Sequence, residues 1–523
     1  MDIITLTISI VVTLVSLIYG FSKWKHGYWR RRGVPQLDPE FFFGNARALF
    51  GGNSSIGEAF LGFYRRLRKQ KVKFGGVYMA YTPNFVPVDP DIIKDVMQKN
   101  FDHFTAHFPP TMVTTIFGKS LFHLGGDAWR KTRKQLSPTF TSGKMKMMFG
   151  TLLEKTFVLE NLIDEYANLH TAVNMKDVLA RFTSDVVGSC GFGIDCNAMK
   201  DPDSQFLKQG RYILDPLEKK SSYLDLLIRA FGVRKFRKNI KPAEDFFKNM
   251  VQQTIDYREK NNVYRKDFMH LMIQLKNRGI VSDDEQIFNK GDKLSKVNTN
   301  AIYDLDDITA QCLIFFIAGF DTSATTMSFA ILELAQHPEM QQKIRDEANE
   351  VLERYNGKMT YEAMMELTYT EQVIDETLRK YPPLANIPRV CTKDYTIPGT
   401  DVVIEKGTLT SIPAWGLHLD PEYFPEPEKF DPERFSLRNK KNIRDFTYTP
   451  FGEGPRMCLG LRFGMMQTKV GLVCLLRNYS FSLNKKTTLP IKTQRDTVIT
   501  TVAGGIWVDI AKIEQQKIET IIS

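Results

Sequence analysis

Paired cysteines are what this 523-residue sequence most plainly lacks. Its six, Cys190, Cys196, Cys312, Cys391, Cys458 and Cys474, are scattered without the close spacing of a zinc site or a disulfide framework. Such sparse usage fits a reducing compartment. There is no low-complexity tract, no internal repeat and no long Gly/Ser linker. No dinucleotide or flavin fingerprint occurs either, since a glycine pair such as Gly504-Gly505 does not qualify. Nucleic-acid motifs and dense Arg/Lys helices are also missing, although the net charge is +10. That surplus then points to an anionic membrane surface or an acidic protein partner. What is present is ordinary for a globular chain, with 43% apolar and 25% charged residues and length enough for a large core.

One long apolar run opens the chain. Ile3 to Ser22 carries no charge, and as a helix at about 1.5 Å per residue it spans roughly 30 Å, enough for a bilayer core. Only Asp2 precedes it, whereas Lys23, Lys25, Arg30, Arg31 and Arg32 follow. A cleaved signal peptide has the opposite order, a basic front and a small-residue cleavage site. Residues 3–22 therefore read as a transmembrane anchor with the remainder on the cytosolic side. Residues 23–40 read as a basic linker, with Gly33, Pro35 and Pro39 forming a stiff turn before a globular domain over 41–523.

Within that domain, residues 73–88 have β character with Thr82-Pro83-Asn84 as the turn, and Asp89-Pro90 opens a helix. Amphipathic stretches dominate from Ala128 to Leu378, and strand-like runs return near Thr396–Ile404 and Val498–Val508. The fold class is mainly α with a small β portion. Lys290–Asn300 is polar enough for a surface loop. Ile308 to Ala335 is apolar and could pass for a second span. Asp321 near its middle would cost about 2.5–3.5 kcal/mol in a membrane. With Asp306 and Asp307 as its cap and His337-Pro338 as its stop, it reads as a core helix.

The most specific chemistry lies in Phe451-Gly-Glu-Gly-Pro-Arg-Met-Cys458-Leu-Gly460, followed by the helical pattern LRFGMMQTKVGLVCLL. Gly452, Gly454 and Gly460 allow positive φ and close backbone approach to a flat ligand. The amides and positive end of the following helix favour an anionic sulfur, and Arg456 is placed to meet an acidic group on the same ligand. A buried structural Cys beside a turn is the plainer reading of any single Cys, but the ten-residue pattern outweighs it.

That pattern, Phe-x-x-Gly-x-Arg-x-Cys-x-Gly, closely resembles the haem-binding loop of the cytochrome P-450 superfamily. The resemblance implies the P-450 fold and a haem b (iron protoporphyrin IX) cofactor. Cys458 would be the axial iron ligand, Phe451 would pack beside the sulfur, and Arg456 would pair with a propionate. Three further patterns agree. Ala318-Gly319-Phe320-Asp321-Thr322-Ser323 matches the family's oxygen-activation motif, with dioxygen beside Gly319 and protons relayed by Asp321 and Thr322. Glu376-Thr-Leu-Arg379 and the later Arg434 resemble its structural triad. Trp129 and Arg133, on one helix face behind Asp127 as cap, would bind a propionate, as would Arg389.

Stretches such as AWRKTRKQLSPTFTSGKMKMMF resemble the insect microsomal, xenobiotic-metabolising group called family 6. The implied enzyme is a monooxygenase of the endoplasmic reticulum membrane, facing the cytosol. NADPH would serve it only indirectly, through a separate reductase, with cytochrome b5 as a second candidate donor. Lys131, Lys134, Lys144 and Lys146 form a basic run suited to that reductase or to a merely solvated face. The family's substrate segments correspond to Phe108, Phe117, Phe122, His123, Phe315, Phe316, Leu384, Ala385, Val498 and Thr501. Such a lining suits lipophilic molecules: plant toxins, insecticides, or endogenous hormones and lipids. A haem-thiolate isomerase and a haem carrier are the rival classes; the retained Asp321-Thr322 pair argues for monooxygenation.

Overall fold

A computed structural model describes residues 3–50, 54–109, 115–214, 240–279, 281, 303–495 and 497–513. The loop expected at Lys290–Asn300 lies outside the described residues. Helix α1 (Ile3–His26) runs four residues past the expected end of the anchor. Its apolar window is unburied, whereas 72% of the corresponding window of Leu305–Leu334 is buried. The two apolar runs therefore separate as expected into an exposed helix and a core helix.

The domain is layered around two cores. A sheet of order β1-β2-β7-β4 packs beneath α2 (Ile56–Lys69). Its strands are β1 (Phe74–Met79), β2 (Thr82–Pro87), β4 (Ile387–Val390) and β7 (Leu409–Ile412). The register Met79↔Thr82 puts the turn at Ala80-Tyr81, with Ala80 at φ 55°. Thr82-Pro83-Asn84 is therefore strand, not turn. Proline tolerates this position because β2 begins there and its partner pairing runs on to Pro87.

The larger core is helical. It holds α3 (Gly126–Leu136), α4 (Ser142–Asn168), α5 (Met175–Val187), α6 (Leu305–Leu334), α7 (Pro338–Arg354), α8 (Thr368–Lys380) and α9 (Leu461–Asn478). α6 runs through its centre, against α5 and α9. Its cap is Asp304, which exchanges hydrogen bonds with Asp307 at N3; Asp306 and Asp307 lie within the first turn rather than capping it. Asp127 likewise sits inside α3, whose N-cap is Gly125.

A second sheet, β3-β9-β8, joins β3 (Val173–Asn174), β8 (Tyr479–Leu483) and β9 (Trp507–Lys512), and β5 (Tyr395–Thr396) pairs β6 (Val403–Ile404). The expected strand at Val498–Val508 starts only at Trp507. Before it, Gly504 and Gly505 adopt positive φ, and Thr500 N–H donates to Pro383 O instead of to a ladder.

Candidate active site

The loop before α9 is shaped by close backbone contact. Gly452 and Gly454 have φ near 70°, and a Cβ on Gly454 would lie 2.0 Å from the Met97 carbonyl oxygen. The turn closes with Cys458 N–H donating to Phe451 O at 2.8 Å, and Gly460 caps α9. Cys458 lies deep in the molecule yet its side chain is open, unlike the other five cysteines. Burial pushes its thiol up; the Gly460 amide and the Arg133 charge oppose this without cancelling it. A metal cation at the sulfur favours its anionic form.

Beside the loop, positive charge accumulates. Arg456 Nε and Nη2 both donate to Thr105 O (Nε at 3.0 Å), Nη1 donates to Leu121 O at 3.1 Å, and Nη2 also reaches Leu124 O. Its guanidinium lies 4.4 Å from the centre of the Trp129 ring. Burial, then Arg389 and Arg133, push Arg456 down to about 8. Arg389 is 1% exposed and burial lowers it to about 10. Its Nη1 donates to Pro388 O at 2.9 Å and to His107 Nδ1 at 3.0 Å, while Nε and Nη2 have no hydrogen-bond partner among the described residues. Two unpaired donors on a buried cation cost several kcal/mol unless an anion meets them.

On α6, Ala318 is open although the residues around it are largely buried. Thr322 Oγ1 donates to Ala318 O, and Gln467 Nε2 donates to Gly319 O at 3.0 Å. Asp321 does not pair with Thr322; Lys176 Nζ holds its Oδ1 at 2.6 Å and also reaches Thr325 Oγ1 at 2.6 Å. This segment and the Cys458 loop meet over α9: a Cβ on Gly464 would lie 4.0 Å from both Phe451 and Ser323.

Residues 36–507 match the family model described as Cytochrome P-450. The chain belongs to the cytochrome P-450 family. It is similar to cytochrome P-450 6k1 of Blattella germanica, 38% identical over 95% of each chain. It also resembles probable cytochrome P-450 6a23 of Drosophila melanogaster, 37% identical over 98% of this chain and all of the relative. Cytochrome P-450 6A1 of Musca domestica is 36% identical over 96% of this chain and 97% of the relative. The resemblance to insect family 6 holds over nearly the full length, and the chain is a haem-dependent monooxygenase.

The residues present fit that group. A P-450 haem brings a metal cation and two carboxylates; the first suits an open Cys458, the second the unpaired donors of Arg389. The expected triad assembles. Arg379 Nε and Nη2 grip Glu376 at 2.7 and 2.8 Å, and Arg434 Nε lies 3.5 Å from Glu376 Oε1. Arg379 further donates to His418 O at 2.9 Å, and the His418 ring accepts Thr449 N–H at 2.9 Å, just before the loop.

The pocket candidates divide. Phe108, Phe117, Phe122 and His123 form one aromatic cluster, with centroid separations from 4.5 to 5.5 Å. Phe315 stacks on Phe268 at 4.7 Å and lies 5.3 Å from Phe463. Phe316 is core: it is fully buried against Phe206, Phe247 and Phe320. Ala385 packs with Trp415 and Leu419, Leu384 is half-buried, and Val498 is 65% exposed on the surface. Thr501 lines a cavity of about 270 Å³ together with Lys176, Thr325 and Thr500.

Two residues at the site escaped sequence reasoning. His107 meets an arginine 282 positions away, and Lys176 an aspartate 145 away. No local spacing signals either pairing; the one available hint was that Asp321, in mid-helix, had to find a cation.

Proposed function

We propose that Cys458 would supply the thiolate that holds the iron of haem b and that Arg456, Arg389, Arg133 and Trp129 would hold the propionate side. The buried Arg389 with two unpaired donors beside Arg456 carries this reading, because a carboxylate would meet both the donors and the charge. When bound, the haem supplies the oxygen-activating iron, and thiolate donation favours O–O cleavage. The chain's own residues do the rest. Phe451 packs over α9 beside the sulfur's loop, and the triad of Glu376, Arg379 and Arg434 fixes that loop through His418. Thr322 holds a proton at Oγ1 against the open turn of α6, and Asp321 stands one residue before it, restrained by Lys176.

The substrates are lipophilic molecules, plant toxins, insecticides or endogenous lipids, met by the Phe108–His123 aromatics. Electrons come from NADPH through a separate reductase, with cytochrome b5 as a second donor. Residues 3–22 anchor the chain in the endoplasmic reticulum membrane, and the charge order around them supports a cytosolic catalytic domain.

The deciding experiment reduces the purified protein and adds carbon monoxide. Wild type should give the thiolate-type Soret shift, and Cys458→Ala should lose it together with NADPH-dependent turnover. A shift that survives the substitution overturns the assignment. Turnover without NADPH would favour the isomerase class. Lys131, Lys134, Lys144 and Lys146 to Glu should weaken apparent reductase affinity several-fold at low salt. An unmoved affinity removes the basic face from the account.

A further inference from the structure

The aromatic segment Phe117–Leu124 is built as two short turns. Gly118, Lys119 and Ser120 N–H donate to the carbonyls of Thr115, Ile116 and Phe117, and His123 and Leu124 N–H both donate to Ser120 O. These bonds leave the Phe117 and Leu121 amides and the Lys119 carbonyl to be met from elsewhere, as backbone groups packed inside a protein must be.

Buried side chains from two helices meet them. Gln311 of α6 is 2% exposed; its Oε1 accepts Leu121 N–H at 2.9 Å and its Nε2 donates to Lys119 O at 3.1 Å. Turning that amide over would set donor against donor and acceptor against acceptor, so its partners fix its orientation. Glu244, 4% exposed on the helix Lys241–Asn261, accepts Phe117 N–H at 2.7 Å. From the cysteine loop, Arg456 donates to the carbonyls of Leu121, Phe122 and Leu124. Lys119 Nζ also lies 3.2 Å from Asp304 Oδ2, but both side chains are exposed and solvent screens the pair.

We infer that Phe117–Leu124 is a fixed wall of the substrate site rather than a moving gate. Gln311 and Glu244 are the positioning residues that give this wall its selectivity for flat lipophilic molecules. The inference rests on reading the Phe108–His123 aromatics as the substrate wall and deepens it. A gate needs residues free to change φ and ψ, whereas the amides of Phe117 to Leu121, His123 and Leu124 are all bonded. The rings they carry are half-buried, so each keeps an open face on an ordered backbone. Phe108 lies 5.4 Å from His123 with the planes 25° apart, and Phe117 and Phe122 meet His123 edge-on. Ser120 is fully buried with Oγ 3.0 Å from His123 Nδ1. A surface ordered in advance spares a ligand the cost of ordering it and favours the shape that it already matches.

The full-length haem-loaded enzyme is titrated with two probes and read by its Soret shift. Pyrene is flat and needs the wall; imidazole is small and needs only the iron. Gln311→Met keeps the side-chain length and removes both hydrogen bonds, so it should weaken pyrene about 5- to 10-fold and leave imidazole unmoved. Unchanged pyrene affinity in Gln311→Met, with Phe122→Ala weakened, would overturn the inference. Unchanged affinity in Phe122→Ala would instead overturn the substrate-wall reading on which it rests. Loss of both probes together with the carbon monoxide signature in Gln311→Met would make Gln311 a residue of the fold alone and overturn its positioning role. Glu244→Gln keeps an acceptor for Phe117 N–H and should bind pyrene as wild type does, whereas Glu244→Leu should bind it several-fold more weakly. Equal weakening in the two would remove Glu244 from the account. Amide hydrogen exchange needs no substitution: residues 117–124 should be protected without ligand and gain nothing from saturating pyrene. Protection that arises only with pyrene would make the segment a gate and overturn the inference.

Discussion

Around Cys458 the chain works with backbone: a glycine turn, the Phe451 carbonyl and the Gly460 amide. Around Arg389 and Arg456 it works with side chains gathered from distant segments, and it leaves donors over. The first sets a backbone amide and the Arg133 charge against burial at one sulfur; the second gathers buried cations whose spare donors meet no partner among the described residues. Each side is short of the charge that the same ligand would bring. Local sequence can encode much of the first kind of site, because its glycines, the Phe451 carbonyl and the Gly460 amide lie within ten residues. The second exists only after β4 and the segment around residue 105 have been brought together by the fold.

Arg389→Leu should break this contrast most sharply. In the haem-free chain it removes two unpaired buried donors and should raise the melting temperature. In the haem-bound enzyme it removes a charge-assisted partner, worth about 1.5–3 kcal/mol, so that haem transfer to a scavenger protein accelerates roughly 10- to 100-fold. Equal effects in the two forms would mean that Arg389 never meets an anion. Gly454→Ala attacks the backbone side. A Cβ facing the Met97 carbonyl at positive φ should cost at least about 1–2 kcal/mol of stability and lower the haem content of the purified protein. Full haem occupancy would show that the turn yields without moving the sulfur.

The smallest effect concerns His418, which ties the Glu376–Arg379 pair to the start of the Cys458 loop. His418 is buried and its pKa falls to about 3, chiefly through desolvation. An unfolded histidine takes a proton near 6.5. His418 therefore leaves stability intact above about pH 6.5 and erodes it as pH falls toward 3, by up to about 1.4 kcal/mol per pH unit. His418→Gln should flatten that slope between pH 6.5 and 5 in equilibrium unfolding. An unchanged slope would assign the acid lability elsewhere.

Much of the framework was legible because its signals are periodic or local. The core helix expected at Ile308–Ala335 runs Leu305–Leu334, and the family patterns at Cys458, Glu376 and Trp129 fall on the elements expected of them. The misplacements share one cause, that several residues could play the same part. Asp304, Asp306 and Asp307 could each cap α6, and only the backbone angles select the first. Phe315 and Phe316 are equally apolar and both buried, yet one step of the helix aims Phe316 at Phe206 and Phe315 at Phe268. The end of the anchor was not legible at all, since the slot for Trp29 is made by a glycine 47 positions later.

Arg389 pairs opposite Thr410 in the β4–β7 ladder, with Ala106 bridging to Val390 beside it. Alternate residues of a strand face opposite ways, so a slip of this ladder by one position would aim the guanidinium out of the site and bring an aliphatic or a proline in. Strand alignment here is thus a chemical specification as much as a mechanical one. A proline at 388 and a backbone bridge at 106 are two locks on the same setting.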